Sequence, residues 1–547
     1  MQAEIDRYPR KNDVYIQYGT AGFRTKATEL DHVVFRMGIL AALRSRAKGS
    51  AAIGLMITAS HNPEPDNGVK LIDPHGEMLE MEWEEIASRL ANAPNPEFQG
   101  ELAKVAMSNG IDAAKPALVF IGRDSRSSSQ RLAEAAIAGV KAYCGTAVDH
   151  GLVTTPMLHY YVFLRNTTDC PDADLEKSYF SKLATSFNVL CEPYVQNQTI
   201  ANKNYTNALD FDGANGVGAV GIDKFLSYQK CQNFELGVHV HNKDLSTPSK
   251  LNHECGSDFV KLQMKPPNGF KPTSGRRIVS VDGDADRVVY SYVDSENNFH
   301  LMDGDRIATL VASYLIDLVK GSGLNLNLGL VQTAYANGNS TKYITETLNI
   351  PVACASTGVK HLHHKALEFD IGVYFEANGH GTVVFSNNAK NLVLQAFEDS
   401  TMDESKLKWI RRLQQMMNLI NSTVGDAISD MLLVEAILLA RGWSIQDWET
   451  AYHDLPSRLK KVYVKDRNVI ETVDADRRCS KPDGLQEQID LLVAKYPNGR
   501  SFVRPSGTED VVRVYAEAET EEDVVALAEE VAKTVHNLAG GVGPPPS

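Results

Sequence analysis

Apolar runs that alternate with amphipathic segments constrain the fold of this chain more than any other feature. Four short apolar runs lie at residues 51–58, 277–281, 328–332 and 371–375. Segments with apolar residues at helical spacing separate such runs, as at residues 306–319. This alternation is typical of α/β layers with mixed, mainly parallel sheets, so we expect several α/β domains.

The C-terminal part of the chain follows a different pattern. Residues 501–503 and 511–518 have the composition of two strands, and a helical pattern follows them up to Leu538. Thr520 stands at the N-cap of this helix, and Asp523 stands at the third helical position, where a capping box places an acidic residue. These features predict a smaller, separate α+β domain.

The composition excludes several classes of partner. The net charge is −14, whereas nucleic acids and anionic membranes attract basic surfaces. No apolar run reaches the ~18 residues needed to span a bilayer. The seven cysteines are scattered and form no CxxC pair, which is typical of reduced thiols in the cytoplasm. We therefore expect a cytoplasmic protein that binds neither nucleic acid nor membrane.

A serine lies just beyond the first apolar run. Ser60 is flanked by His61 and, further on, by Lys70, which could move protons or neutralise a phosphate. Thr58 and Asn62 occupy the positions where a hydrolase elbow needs glycine, and no Walker A sequence is present. The remaining alternatives are a reactive loop serine or a capped turn.

Three carboxylates follow the second apolar run. Asp282, Asp284 and Asp286 alternate with small residues, so an extended backbone would point all three side chains the same way. An all-oxygen cluster favours Mg²⁺ or Mn²⁺ over zinc. The positions of Arg287 and Val293 do not fit an EF-hand, and a solvated acidic turn is the alternative.

Two further loops carry polar groups that could bind a sugar phosphate. Glu376 and Asn378 follow an apolar run and could bind vicinal hydroxyls, although a plain turn between strands fits equally well. Near the C-terminus, Arg504 opens a loop rich in hydrogen-bond donors, and Arg513 follows it. The alternative there is a surface turn with an ion-paired arginine. The short acidic segment at residues 474–477 is interpreted as surface.

The four loops, in this order, resemble the motifs of the α-D-phosphohexomutase superfamily. The phosphoserine motif, the metal motif, the sugar motif and the phosphate motif correspond to residues 58–63, 282–287, 376–380 and 504–508. Three segments are most similar to eukaryotic phosphoacetylglucosamine mutases, namely residues 19–24, 376–381 and 504–513.

This resemblance implies an activity. The expected reaction interconverts N-acetylglucosamine 6-phosphate and N-acetylglucosamine 1-phosphate, on the route to UDP-N-acetylglucosamine. A phosphorylated serine at position 60 and a sugar 1,6-bisphosphate would be the intermediates. The alternatives are a phosphoglucomutase or phosphomannomutase of the same superfamily, or a metal-dependent sugar phosphatase.

The resemblance also implies roles for individual residues. One Mg²⁺ per chain would be bound by Ser60, Asp282, Asp284 and Asp286. Catalysis would involve Ser60, His61, Lys70 and Arg287, with the general base left open between His61 and Lys70. The residues implied in substrate binding are Arg24, Glu376, Asn378, His380, Arg504, Ser506, Gly507, Thr508 and Arg513.

The resemblance further implies four domains around a central cleft. The predicted domains are residues 1–178 with the phosphoserine loop, 179–300 with the metal loop, 301–440 with the sugar loop, and 441–547 with the phosphate loop and a disordered tail. The only expected ligand partner is a small sugar phosphate, and the chain is expected to be a monomer or a homodimer.

Overall fold

The computed structural model describes residues 2–196, 204–229, 234–506 and 510–545. The chain divides into two compact units. The first comprises Met1–Asp303, Asn378–Val383 and Arg411–Ile445, and the second comprises Gly304–Ala377, Val384–Ile410 and Gln446–Ser547. Among the described residues, no helix combines the length and apolar character needed to cross a membrane.

The first unit contains two mixed sheets. One has the strand order β1-β3-β2-β4-β5. Its strands are β1 (Phe23–Lys26), β2 (Ala52–Ile57), β3 (Asp66–Ile72), β4 (Leu118–Arg123) and β5 (Thr146–Leu152). Its helices are α1 (Gln2–Arg7), α2 (Asp31–Ala47), α3 (Met81–Asn92), α4 (Phe98–Ser108), α5 (Ser129–Ala142) and α6 (Thr155–Thr167). Strands β2, β4 and β5 are parallel, and β1 and β3 are antiparallel additions at one edge.

The other sheet of the first unit has the order β10-β9-β8-β6-β7. Its strands are β6 (Ala208–Asp212), β7 (Gly237–His241), β8 (Arg277–Val281), β9 (Val288–Val293) and β10 (Phe299–Met302). The helices in this stretch are α7 (Leu175–Gln196), α8 (Val217–Gln229) and α9 (Ser257–Gln263). Strand β8 is parallel to β6 and antiparallel to β9. The predicted metal loop is therefore the short connection between the neighbouring strands β8 and β9.

A third sheet has the order β12-β11-β13-β14. Its strands are β11 (Leu328–Gln332), β12 (Val352–Cys354), β13 (Ile371–Phe375) and β14 (Gly381–Phe385). The helices from this stretch onwards are α10 (Gly304–Ser322), α11 (Gly338–Lys342), α12 (Val359–Ala366), α13 (Asn387–Glu398), α14 (Glu404–Leu419) and α15 (Ala427–Arg441). A single π-helical turn, Tyr343–Thr347, continues α11.

The C-terminal part of the second unit has an antiparallel sheet of order β15-β19-β18 and a separate hairpin. The strands are β15 (Ser457–Tyr463), β16 (Glu471–Val473), β17 (Arg478–Lys481), β18 (Arg500–Pro505) and β19 (Val511–Glu517). The helices are α16 (Ile445–Glu449), α17 (Leu485–Val493) and α18 (Glu521–Leu538). The hydroxyl of Thr520 accepts a hydrogen bond from the Asp523 N–H at 3.1 Å, so the predicted N-cap is confirmed.

The apolar runs form buried strands for a simple reason. Every residue of β2, β8, β11 and β13 is buried, as expected for strands covered on both faces. Burying these runs removes apolar surface from water, which stabilises the sheet by roughly 25 cal/mol per Å². The polar residues that follow each run therefore start at the end of a rigid strand. The predicted α/β class and the C-terminal α+β fold are confirmed, but only half of the pairings in the first two sheets are parallel.

Candidate active site

Ser60 lies in a buried turn three residues beyond β2, with 0% of its surface exposed. Its backbone φ is 53°, in the left-handed region that serine rarely adopts. The Ser60 hydroxyl donates a hydrogen bond to Asp282 Oδ2 at 2.5 Å, across 222 residues of sequence. The predicted meeting of the serine loop with the acidic loop is therefore present in the first unit.

The three carboxylates, which we call the acidic triplet (Asp282, Asp284 and Asp286), converge after β8. They are buried, and one oxygen from each lies within 4.8 Å of the others. The backbone is not extended as the sequence pattern suggested. It forms a turn in which Ala285 N donates to Asp282 O at 3.1 Å and Ala285 has a φ of 56°. The convergence was predicted correctly, but its geometric reason was wrong.

Basic side chains surround the acidic triplet. Lys70 lies on β3, and its Nζ is 3.3 Å from Asp284 Oδ2 and 3.0 Å from Asp286 Oδ2. Arg24 lies on the neighbouring strand β1, and none of the described residues forms a hydrogen bond with its buried Nε. Burial and the nearby Arg287 lower the pKa of Arg24, whereas the three carboxylates raise it. Charges of both signs thus share one buried region.

The carboxyl groups of the triplet differ in their protonation behaviour. Burial and the negative charges of Asp286 and Asp284 raise the pKa of Asp282 well above its usual range. Burial would do the same to Asp286, but the positive charge of Lys70 and the interaction with His380 hold its pKa well below the usual range. Burial lowers the pKa of Lys70, and the pairing with Asp286 and Asp284 outweighs that effect and raises it.

His61 and Arg287 are connected through an aspartate that the sequence analysis missed. Asp258, on α9, accepts a hydrogen bond from Arg287 Nη1 at 2.9 Å and lies 3.5 Å from His61 Nε2. The other ring nitrogen of His61 is 3.4 Å from the Ser60 hydroxyl. Burial and the charge of Arg287 lower the pKa of His61 to about 4, so the imidazole is neutral at pH 7.

Thr155, the first residue of α6, is a second contact that the sequence did not reveal. Its hydroxyl donates to Asp284 Oδ2 at 2.6 Å, and its backbone N–H donates to Asp284 O at 3.1 Å. The remaining oxygen, Asp284 Oδ1, is buried and has no hydrogen-bond partner among the residues that the structure describes. A buried oxygen left without a donor, next to two other carboxylates, fits a hard cation such as Mg²⁺.

The sugar loop contributes two predicted residues to the first unit. Gly379 has a φ of 87°, and a Cβ there would overlap the carbonyl of Val288, the residue that starts β9. The absence of a side chain lets Val288 N donate to Gly379 O at 3.1 Å. This close approach brings His380 Nδ1 within 3.3 Å of Asp286 Oδ1. Asn378 Oδ1 accepts from the His380 N–H at 3.0 Å, so it caps this turn.

The second unit holds the other predicted substrate-binding residues. Glu376 directly follows β13 and is half-buried. Arg504, on β18, and Arg513, on β19, are cross-strand partners. The Ser506 hydroxyl is buried and finds no hydrogen-bond partner within the described part of the chain, as expected of a group that contacts a ligand. Gly507 and Thr508 lie outside the described residues.

The segment at residues 474–477 differs in part from its interpretation as surface. The side chain of Asp476 is 13% exposed, and its Oδ2 lies 3.7 Å from Arg504 Nε. Asp476 also accepts hydrogen bonds from Thr472 Oγ1 at 2.8 Å and from the Thr357 N–H at 3.3 Å. This carboxylate therefore belongs to the surroundings of Arg504. The prediction that all four loops line one cleft stays a prediction.

Family profiles match the chain in succession. Phosphoglucomutase/phosphomannomutase, alpha/beta/alpha domain I, matches residues 28–96 and 89–170. Phosphoacetylglucosamine mutase AMG1, domain II, matches residues 169–289, and its domain III matches residues 303–443. Phosphoglucomutase/phosphomannomutase, C-terminal domain, matches residues 457–534. The chain thus has the predicted four domains of the phosphohexomutase fold.

Relatives match over nearly the full length. Human phosphoacetylglucosamine mutase is 49% identical over 539 residues, which is 98% of this chain and 97% of the human protein. The crystal structure of Aspergillus fumigatus N-acetylphosphoglucosamine mutase in complex with GlcNAc-6P and magnesium is 43% identical, with a TM-score of 0.91 and 98% of both chains covered. A serine-to-alanine variant of the Aspergillus enzyme in complex with glucose 1,6-bisphosphate gives a TM-score of 0.88, at 43% identity and 98% of both chains. The chain therefore belongs to the phosphoacetylglucosamine mutase family, as its motifs predicted.

Proposed function

We propose that this chain interconverts N-acetylglucosamine 6-phosphate and N-acetylglucosamine 1-phosphate through a phosphorylated Ser60 and a 1,6-bisphosphate intermediate. The observation that carries the proposal is the hydrogen bond of 2.5 Å between the buried Ser60 hydroxyl and Asp282 of the acidic triplet. A serine in such a place can carry a phosphoryl group next to groups that stabilise its charge. The names and ligands of the relatives give the substrate class.

The reaction consists of two phosphoryl transfers. In the first, the bond between phosphorus and the Ser60 oxygen breaks, and a bond forms between phosphorus and the free hydroxyl oxygen of the sugar phosphate. The proton of that hydroxyl passes to a base. The resulting bisphosphate turns round in the site and returns its other phosphoryl group to Ser60, which releases the isomeric monophosphate.

His61 and Lys70 are the two candidates for the base. His61 Nδ1 lies 3.4 Å from the Ser60 oxygen, which is close enough to reach a proton at the transferring group. Lys70 is paired with two carboxylates of the triplet, at 3.0 Å and 3.3 Å, which raise its pKa and favour the protonated form, so it would have to lose a proton before it could act as the base. Arg287 is held near Ser60 through Asp258 and would stabilise negative charge on the transferring group.

The acidic triplet and the oxygen of residue 60 are the proposed ligands of one Mg²⁺. The fit rests on the buried, unpartnered Oδ1 of Asp284 and on the all-oxygen donor set. When bound, the ion would supply Lewis acidity that withdraws charge from the transferring phosphoryl group. The chain's own contribution is to hold the three carboxylates in a fixed turn at the end of β8.

The remaining predicted residues are proposed to bind the sugar and the phosphate that is not moving. Glu376 and Asn378 would hold sugar hydroxyls, with Arg24 and His380 as supporting contacts. The phosphate would be held by Arg504, Ser506, Gly507, Thr508 and Arg513. The buried hydroxyl of Ser506 and the cross-strand pairing of the two arginines support this assignment.

The test is a direct assay of both sugar phosphates together with one pair of variants. The purified chain with Mg²⁺ and a trace of glucose 1,6-bisphosphate should convert N-acetylglucosamine 6-phosphate to the 1-phosphate. Ser60→Ala should fold normally and lose turnover, and mass spectrometry should find phosphate on Ser60 of the wild-type chain only. Ser108→Ala, an exposed serine on α4, is the matched control and should keep full activity.

Other outcomes would redirect the proposal. Full activity of Ser60→Ala would refute the phosphoserine mechanism. Faster turnover of glucose 1-phosphate or mannose 1-phosphate than of N-acetylglucosamine 1-phosphate would indicate the related mutases. Release of inorganic phosphate in place of the isomeric sugar phosphate would indicate a phosphatase.

A further inference from the structure

The backbone of Ser60 is held in a conformation that a serine does not choose by itself. Its φ of 53° lies in the left-handed region, which disfavours residues with a Cβ. Such conformations persist only where the surroundings determine them, and they are common at functional sites. The peptide that follows Ser60 is held by side chains from other parts of the first unit.

Two side chains from distant parts of the first unit donate to the same carbonyl. Arg126 Nη2 and Asn252 Nδ2 each lie 2.9 Å from the Ser60 carbonyl oxygen. The same two groups also donate to the carbonyl of Asn62, at 2.8 Å and 3.3 Å. The turn that carries the serine is thus bound from two sides, by the segment after β4 and by the segment before α9.

All three nitrogens of the Arg126 guanidinium group donate hydrogen bonds. Its Nη1 donates to the carbonyls of Pro63 and Asp66, at 2.7 Å and 3.0 Å. Its Nε donates to Asp124 Oδ2 at 2.9 Å, so a buried charge partner fixes its position. Asp124 also accepts from the hydroxyl of Thr58 at 2.8 Å, which connects the pair back to the start of the turn.

Gly283 in the metal loop leaves room for the hydrogen bond between Asn252 and the Ser60 carbonyl. A Cβ on Gly283 would lie 2.8 Å from the Ser60 carbonyl oxygen and 3.1 Å from Asn252 Nδ2. Only glycine therefore lets the Ser60 carbonyl and the Asn252 amide approach the acidic loop together. Asn252 itself has a φ of 55°, which asparagine tolerates better than most residues do.

We propose that Arg126 and Asn252 form a clamp on the Ser60 carbonyl that keeps the hydroxyl of Ser60 directed at Asp282, and that this clamp sets the rate of phosphoryl transfer. Both are positioning residues, since they act through the backbone of Ser60. The proposal rests on the proposed function for its kinetic consequence only. Its structural consequence, a rigid turn at residues 58–66, is independent of catalysis.

Each of two variants removes the hydrogen bonds of one clamp residue and leaves the other clamp residue in place. Asn252→Gly deletes the amide and accepts the left-handed backbone without strain. Arg126→Lys keeps a positive charge beside Asp124 but cannot donate to four carbonyls from a planar fork. The matched control is Arg123→Lys, because Arg123 ends β4 three residues earlier and pairs with Asp149 at 2.8 Å, away from the turn.

The kinetic readout separates positioning from binding. Asn252→Gly should lower kcat by about tenfold, and Arg126→Lys by about 100-fold, because a small displacement of a reacting atom has a large effect on rate. KM for the sugar phosphate should change by less than about twofold in both variants, and Arg123→Lys should match the wild type. Because a smaller folded fraction would also lower the apparent kcat without changing KM, kcat is calculated per folded enzyme, with the folded fraction of each variant measured by circular dichroism.

Amide hydrogen exchange, measured without substrate, tests the clamp by itself. Peptides covering residues 58–66 should exchange at least about tenfold faster in both clamp variants, and at the wild-type rate in Arg123→Lys. Unchanged exchange in Asn252→Gly, unchanged kcat, or a loss confined to KM would each overturn the proposal. If Arg126→Lys does not fold, Asn252→Gly alone decides the test, because Asn252 is only half-buried and its replacement disturbs the fold less. A wild-type chain without mutase turnover would refute the proposed function, and the exchange result would still test the clamp.

Discussion

Replacing Thr155 by valine should weaken Mg²⁺ binding even though Thr155 is not a proposed ligand. Valine has the same shape but no hydroxyl, so the change removes the hydrogen bond of 2.6 Å to Asp284 Oδ2. Of its contacts with described residues, that oxygen then keeps the one with Lys70, at 3.3 Å. Asp284 would lose a contact that fixes its orientation, while the rest of α6 stays in place.

The magnitude follows from the number of contacts on this carboxylate. Groups that orient a metal ligand typically change metal affinity by 10- to 100-fold when they are removed. Asp284 is one of three carboxylates, and the backbone N–H of Thr155 still donates to its carbonyl at 3.1 Å. We therefore expect the lower end of that range, a Kd about tenfold higher, which corresponds to about 1.4 kcal/mol.

The assay is calorimetric titration of Mg²⁺ into the metal-free chain, with the Mg²⁺ dependence of turnover as a second measurement. Thr155→Ser keeps the hydroxyl and should bind nearly as the wild type does. Thr167→Val is the matched control, because this exposed threonine ends the same helix and bonds only to Phe163 O, at 2.7 Å. An unchanged Kd in Thr155→Val, or an equal weakening in Thr155→Ser, would refute the reasoning.

Three further outcomes can be measured. Arg504→Ala should raise KM sharply while kcat changes little, because it removes a charge proposed to bind the phosphate that is not transferred; steady-state kinetics test this. Glu435→Gln should lower the free energy of unfolding by about 3–5 kcal/mol in urea denaturation, because it leaves Arg277 buried without the carboxylate that lies at 2.8 Å. Burial and the nearby positive charge of Arg36 lower the pKa of His32 to about 4, so the fold favours neutral imidazole and loses stability as the pH falls below 6.5. The loss at pH 5 is up to about 2 kcal/mol, and His32→Gln should show a correspondingly flatter dependence of Tm on pH.

Strands buried on both faces could be predicted from the sequence, whereas β3, which mixes polar and apolar residues, could not. The run at residues 328–332 matches β11 residue for residue, because an apolar run between turns has few other ways to be buried. Strand β3 was missed because Asp66–Ile72 mixes polar and apolar residues and resembles a loop. It forms because β1 and β2 pair with its two sides. Lys70 therefore lies on a strand instead of in the serine loop.

The site was predictable where one segment carries the chemistry, and unpredictable where distant segments support it. The acidic triplet lies within five consecutive residues, so spacing alone suggested a cation site. Thr155 meets Asp284 across 129 residues, and Asn252 meets Ser60 across 192. A signal for one supporting residue did exist. Arg126 follows β4, which is parallel to β2, so both strand ends lie at the same edge of the sheet.

The charges around Ser60 favour the proposed binding of a divalent cation. The acidic triplet is surrounded by Lys70, Arg24 and Arg287, of which Arg287 also pairs with Asp258. These basic side chains do not fully offset the carboxylates, because burial and the neighbouring negative charges still raise the pKa of Asp282. A phosphoryl group on Ser60 adds a charge of about −2. Uncompensated charge in a buried site is costly, and the basic residues already face carboxylates. A divalent cation would offset both charges of the phosphoryl group, whereas one further basic side chain would offset only one. The proposed Mg²⁺ would therefore supply the positive charge that a phosphorylated Ser60 requires and that the basic residues, engaged by carboxylates, do not provide.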